Sequence, residues 1–310
     1  MNVTLLIVQC LNGLQLGVLL FLLAAGLTLV FGIVNFVNLA HGSLYMAGAF
    51  IGALTYHLSG SFVLAVIVVI PAMMALGMAL EWTILRRLYA RGHLDQVLAT
   101  FGLILFSNEL ARVLFGPSPY YMEVPDALSG AVTLFGITYP TYRLLIVAVG
   151  LIVAFACYVV IHRTRIGMLI RAGATHREMV GALGVNMSLL NALLFGVAAM
   201  LAGVAGLLAG PILSVQPGMG EPVLILTMVV IVIGGIGSIR GAFLAALIVG
   251  VIDTLGRTLL PALLRLMMER STADTAGPAL ASMSIYILMA LVLAWRPQGL
   301  FPVKHRVLSK

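Results

Sequence analysis

The sequence predicts an all-α membrane protein, a polytopic bundle of about eight to ten transmembrane helices with one short cytoplasmic helix. Three observations predict it. Of 310 residues, 62% are hydrophobic and only 9% charged, against about 25% charged in a soluble globular domain. Apolar runs recur along the chain, each close to the roughly 20 residues a helix needs to cross about 30 Å of hydrocarbon. Basic residues fall in short clusters between those runs, so the net charge of +7 reads as the positive-inside pattern and not as a nucleic-acid surface. An outer-membrane barrel would instead show short alternating segments.

Taken in order, the first run covers 4–33, within a stretch of eighty residues that holds no Asp, Glu, Lys or Arg. It lacks the basic start of a cleavable signal peptide and is expected to remain in the mature protein. Eight more runs follow, at 39–58, 62–85, 97–115, 144–161, 189–213, 223–237, 241–260 and 280–295. Alternation places Arg86, Arg87, Arg91, Arg163, Arg165, Arg171, Arg177, Arg296, Lys304, Arg306 and Lys310 on one side, which is expected to be the cytoplasm. The linker 116–143, with Glu123 and Asp126, then lies outside, as does the N-terminus. The chain reads as a single domain over 1–310, with a distinct polar segment at 163–188.

Glycine is frequent, at 33 residues, and Gly-x-x-x-Gly spacings occur at Gly13/Gly17, Gly48/Gly52, Gly206/Gly210 and Gly237/Gly241. Such spacings let helix backbones approach closely in lipid, so a tightly packed bundle is expected. Gly42, Gly48, Gly52, Gly235, Gly237, Ser238 and Gly241 are the candidate helix-break and packing positions. The strings GSLYMAGAF from Gly42 and GSIRGAF from Gly237 resemble each other, as two related halves of a transporter would.

Within the apolar first third, Asn35, Asn38, His41 and Ser43 cluster beside Gly42. A polar group facing hydrocarbon without a partner costs several kcal/mol, so these side chains face protein or water. Two readings fit. In one, Asn38 caps a helix and His41 satisfies a neighbouring carbonyl. In the other, a helix broken at membrane depth lines a translocation path. Glu109/Arg112 and Asp253/Arg257 sit at helical spacing and read as local ion pairs. Cys10 and Cys157 lie in apolar runs, with no disulfide or metal pattern around them.

Enzymatic signatures are missing. Lysine occurs only at Lys304 and Lys310, which leaves no P-loop, and neither H-E-x-x-H nor G-x-S-x-G is present. No metal site or cofactor is expected. Between the fifth and sixth runs, 174–183 reads as a short helix stopped by Gly184, with Asn186 or Ser188 capping the next run. Its small residues Ala172, Gly173, Ala174, Gly181 and Ala182 suit close approach of a partner protein; a basic connector resting on lipid headgroups is the plainer alternative.

The strings VNLAHGSLYMAGAF, RTRIGMLIRAGATHREMVGALGVN, LAGVAGLLAG, IVIGGIGSIRGAFLAALIVG and WRPQGLFP, in that order, resemble the inner-membrane permeases of branched-chain amino-acid ABC importers. The resemblance implies a second permease, identical or different, two cytoplasmic ATP-binding subunits and a periplasmic solute-binding protein as partners, in a bacterial inner membrane. It implies that the 171–186 stretch contacts the ATPase, with Arg171, Ala172, Thr175, Glu178, Gly184 and Asn186 as coupling residues. Gly181 and Arg240 depart from the usual alanine and proline of that pattern. Permeases of this group also carry urea or other small solutes. A partner-independent channel or secondary carrier is the rival from another class; it would be expected to keep ionisable groups deep in its spans.

Overall fold

The computed structural model describes residues 3–34, 36, 38–134 and 136–301. Its helices are α1 (Val3–Val34), α2 (His41–Ser59), α3 (Phe62–Leu80), a π-helical turn (Glu81–Leu85) leading into the short α4 (Arg86–Leu88), and α5 (His93–Phe115). After a loop come α6 (Thr141–Arg163), α7 (Arg165–Thr175), α8 (Arg177–Ala182), α9 (Met187–Ala209), α10 (Gly220–Gly234), α11 (Ile239–Leu264) and α12 (Arg270–Trp295). All nine apolar runs are helical. Seven helical segments are long and apolar enough to cross a membrane, while α2 and α10 fall short of that standard. The chain is a multi-pass, all-α membrane protein.

Local chemistry sets the boundaries. Gly60 ends α2 in the left-handed region at φ 67, and the Ser61 hydroxyl then accepts from Leu64 N–H to start α3. Ser238 accepts from Gly241 N–H and starts α11 in the same way. The loop 116–143 is more ordered than its sequence suggested. It forms a hairpin of β1 (Ala131–Leu134) and β2 (Ile137–Pro140), and Tyr120 pairs with Val215 beyond α9.

The two central helices are α1 and α9, each mostly buried. They pack on one another; α9 also packs on α2 and α3, as α1 does on α10 and α11. In each of the runs α1–α2–α3 and α9–α10–α11 a buried, span-length helix is followed by one that falls short of a span and then by a segment that reaches one, 62–88 in the first run and α11 in the second. This corrects the repeat suggested by the two GS strings. Gly42 opens the short α2, whereas Gly237 precedes the long α11, so the strings do not occupy matching places.

Glycine permits the close packing. A Cβ on Gly13 would lie 2.6 Å from Val251 Cα, and one on Gly17 2.7 Å from Ala246 O, so α1 and α11 touch backbone to backbone. Gly48 meets Gly203, Gly206 meets the Tyr45 carbonyl, and Gly52 faces Leu207, which seats α2 on α9. Gly241 meets Gly234 across the α10–α11 turn.

The path of α2 is the unusual part. His41, its first residue, lies beside the Leu23 carbonyl, about two-thirds of the way along α1, and Phe50 stacks on Phe115 near the hairpin loop. Leu23 precedes Val34 by eleven residues, or roughly 16 Å of helix at 1.5 Å per residue. The start of α2 thus lies about a third of the way back along α1.

Candidate translocation and coupling sites

Asn38, His41 and Ser43 are brought together at the start of α2, at 2%, 1% and 9% exposure. Asn35 lies outside the described residues. The Asn38 side-chain oxygen Oδ1 accepts from Ala40 N–H at 3.1 Å and pins the turn. The N-cap itself is Ala40, which has no side-chain bond, so Asn38 is not the expected cap. His41 Nε2 is 3.2 Å from the Leu23 carbonyl; a carbonyl only accepts, so Nε2 carries the proton.

Gly42 touches Gly220 at this depth, with a Cβ on Gly42 placed 2.5 Å from the Gly220 carbonyl oxygen. The first turns of α2 and α10 therefore meet inside the bundle, bringing two positive helix ends together. Glu221 follows in the first turn of α10 and accepts a hydrogen bond from the Asn108 amide of α5. Glu221 thus stands at a helix end that meets α2 within the bundle. Glu221 went unweighed because no basic residue stands near it in the sequence.

At the basic end, α7 and α8 are separate helices that break at His176, which corrects the continuous 174–183 helix expected from sequence. Thr164 caps α7 by accepting from Gly167 N–H at 3.1 Å. Arg171, Thr175, Glu178 and Asn186 are exposed, and Ala172 is half-buried. Gly184 takes φ +88, the left-handed stop anticipated for it. Asn186 is the cap of α9, accepting from Leu189 N–H at 3.0 Å. Met179 and Leu183, at 61% and 79% exposure, form an apolar pair along α8 that the sequence reading did not single out. Their i, i+4 spacing was the available signal.

Glu81 was also missed, and it is fully buried. Its carboxylate accepts from Arg86 Nη2 at 2.9 Å and from the Tyr89 hydroxyl at 3.1 Å. Arg86 follows by five residues, a spacing that a regular α-helix splays apart; the π-helical turn Glu81–Leu85 brings the two into register. Arg86 Nη2 also reaches the Ser188 carbonyl at 3.4 Å, and the Arg177 guanidinium of α8 sits 5.9 Å from the centre of the Tyr89 ring. Burial, reinforced by the Glu81 carboxylate, raises the Tyr89 phenol well above its usual range, so it stays protonated as a donor. The network links α8, the end of α3 and the start of α9.

Two cavities open at opposite ends of α1. The one at the basic end, about 560 Å³, is lined by Thr28, Gly32, Arg171, Thr175 and Gly237 among others. The other, about 450 Å³, lies near the hairpin loop and is lined by Asn12, Gln15, Leu19, Arg143 and Asp253 among others. Between them, residues 18–25 of α1 are at most 7% exposed, so the two do not communicate along that helix.

Comparison with known proteins agrees with this architecture. The family described as the permease component of branched-chain amino acid transport systems matches residues 9–293. The chain is 30% identical over 310 residues to the high-affinity branched-chain amino acid transport system permease protein BraD of Pseudomonas aeruginosa, covering 94% of each chain. It is 28% identical to the permease protein LivH of Salmonella typhimurium and 27% identical to LivH of Escherichia coli K12, covering 80% of this chain and 84% of the relative in both cases. No solved structure matches. With nearly its whole length matched, the chain belongs to the family of permease components of branched-chain amino acid transport systems.

Proposed function

We propose that this chain is one of two permeases in an ATP-driven importer of the bacterial inner membrane, carrying branched-chain amino acids delivered by a periplasmic binding protein. The basic end faces the cytoplasm, where one of two ATP-binding subunits docks on 163–188 and the other on the second permease. The observation that carries the docking assignment is α8 itself, a short helix presenting Met179 and Leu183 to solvent beside the exposed Glu178. Exposed apolar residues at a polar membrane face suit a protein partner.

Closure of the ATPases moves α7 and α8. Arg177 passes that motion to Tyr89, and the Glu81–Arg86 pair passes it to the ends of α3 and α9. Because α9 seats both α2 and α1 through glycine contacts, a shift of α9 repacks the region of Asn38, His41 and Ser43. The outer and inner cavities then open in turn, which is alternating access. Selection rests with the binding protein, so a weakly polar path suffices. The test is to reconstitute the complex with Glu178→Ala or with Gly184→Val. Substrate-stimulated ATP hydrolysis should drop while the subunits still assemble; wild-type stimulation in both variants overturns the docking assignment.

A further inference from the structure

We propose that the outer cavity between α1, α6 and α11 is a binding site for the zwitterion of a small aliphatic α-amino acid, the first station of the solute in this chain. The proposal rests on the transport reading above. Its anchor is Gln15, a residue of α1 that is only 5% exposed and lines the cavity, yet whose amide makes no hydrogen bond to a described residue. Unlike the sealed side-chain oxygens of Thr28 and Asn191, this amide is open to the cavity, where water or a solute can meet it.

The other polar groups match the two charges of such a solute. Arg143 lines the same cavity, held by the Asn12 side-chain carbonyl, which also accepts from the Tyr139 hydroxyl at 3.1 Å. Among the described residues no carboxylate pairs with Arg143. It thus offers its remaining donors to a solute carboxylate. Burial raises the Tyr139 phenol, with Arg143 pulling the other way. Opposite stands Asp253, 4% exposed and paired with Arg257 Nε at 2.9 Å through each oxygen. Its remaining lone pairs and the Gln15 oxygen suit an ammonium group.

Leu16, Leu19, Ala209, Ile212 and Leu213 give the wall an apolar side, while Gln9, Thr254, Thr258 and Arg257, the partner of Asp253, complete its polar side. Its volume of about 450 Å³ falls in the usual range for a small-molecule site. One helical turn inward from Leu19 on the same face of α1 is Leu23, whose carbonyl meets His41.

The site is tested in the assembled complex, with Thr254→Cys, on the cavity wall but outside the proposed contacts, introduced into a Cys10→Ser, Cys157→Ser background. The rate at which a membrane-impermeant thiol reagent modifies the new thiol is measured with L-leucine, with 4-methylpentanoate (no ammonium) or with isopentylamine (no carboxylate). L-leucine is expected to slow modification at least several-fold and each analogue less. Adding Arg143→Met should abolish the protection while Arg143→Lys keeps part of it. Equal protection with and without Arg143→Met, or no protection by leucine, overturns the site. A second readout avoids the cysteine. Gln15→Leu and Arg143→Met should each raise the leucine concentration giving half-maximal binding-protein-dependent uptake by about tenfold, the usual worth of a hydrogen bond to a charged group. A wild-type complex that takes up no leucine with ATP present defeats the transport reading; one that does, with both variants unchanged, defeats only the site.

Discussion

The backbones of Gly42 and Gly220 touch where α2 and α10 begin, with no room for a methyl group on either residue. Replacing either glycine by alanine forces backbone apart from backbone, because no flexible side chain is available to yield. Each substitution should destabilise the protein by about 1–3 kcal/mol and reduce transport. Gly102, in α5, has nothing within 4 Å of its notional Cβ. Gly102→Ala should be neutral or stabilising by up to about 1 kcal/mol. Thermal melts of the purified protein in detergent separate the two outcomes.

Glu81 and Arg86 form a pair with one member fully buried. Arg86→Met leaves the carboxylate without its cation and should lower the melting temperature by several degrees. The double substitution Glu81→Met, Arg86→Met should be less harmful than Arg86→Met alone, since it removes the stranded charge. If the network also transmits motion, the double variant recovers stability but not the ratio of solute moved to ATP hydrolysed.

At Gly184 the penalty is conformational, as nothing lies within 4 Å of a Cβ there. Gly184→Ala should cost about 1 kcal/mol, the usual strain of a left-handed non-glycine residue, and Gly184→Asn less. Urea unfolding gives the order, and stimulated ATP hydrolysis should follow it.

His41 donates to the Leu23 carbonyl from a site only 1% exposed. His41→Leu keeps the bulk but removes the donor and should destabilise by about 1–2 kcal/mol. Transport should fall by more than that loss of folded protein explains, if the polar junction lies on the solute path. Uptake normalised to the folded fraction provides the measure.

Much of this fold was legible in the sequence. Long apolar runs announce helices by length alone, and all nine were where hydropathy put them. The stop at Gly184 and the cap at Asn186 followed from local chemistry, whereas Ser238, read as a helix break, proved to be the cap of α11. What stayed hidden depended on contacts between distant segments. Glu81 sat at the end of an apolar run and five residues from Arg86, a spacing that means nothing until the π-helical turn is seen. Gln15 was one amide in a greasy helix; only the distant Arg143 and Asp253 give it company. The two GS strings misled because small-residue sequences recur by composition, whereas the structural relation between α2 and α10 is one of position.

The chain closes on itself in one further respect. Beyond α12, Leu300 N–H donates to the Ile233 carbonyl and Phe301 N–H to the Gly234 carbonyl, while Gly299 lies against Gly235. The final described residues thus latch the C-terminal end of α10, whose N-terminal end rests on α2. A purification tag or fluorescent fusion placed immediately after this latch would tug on the heart of the bundle from outside it, and a long spacer is the prudent choice for anyone labelling that terminus.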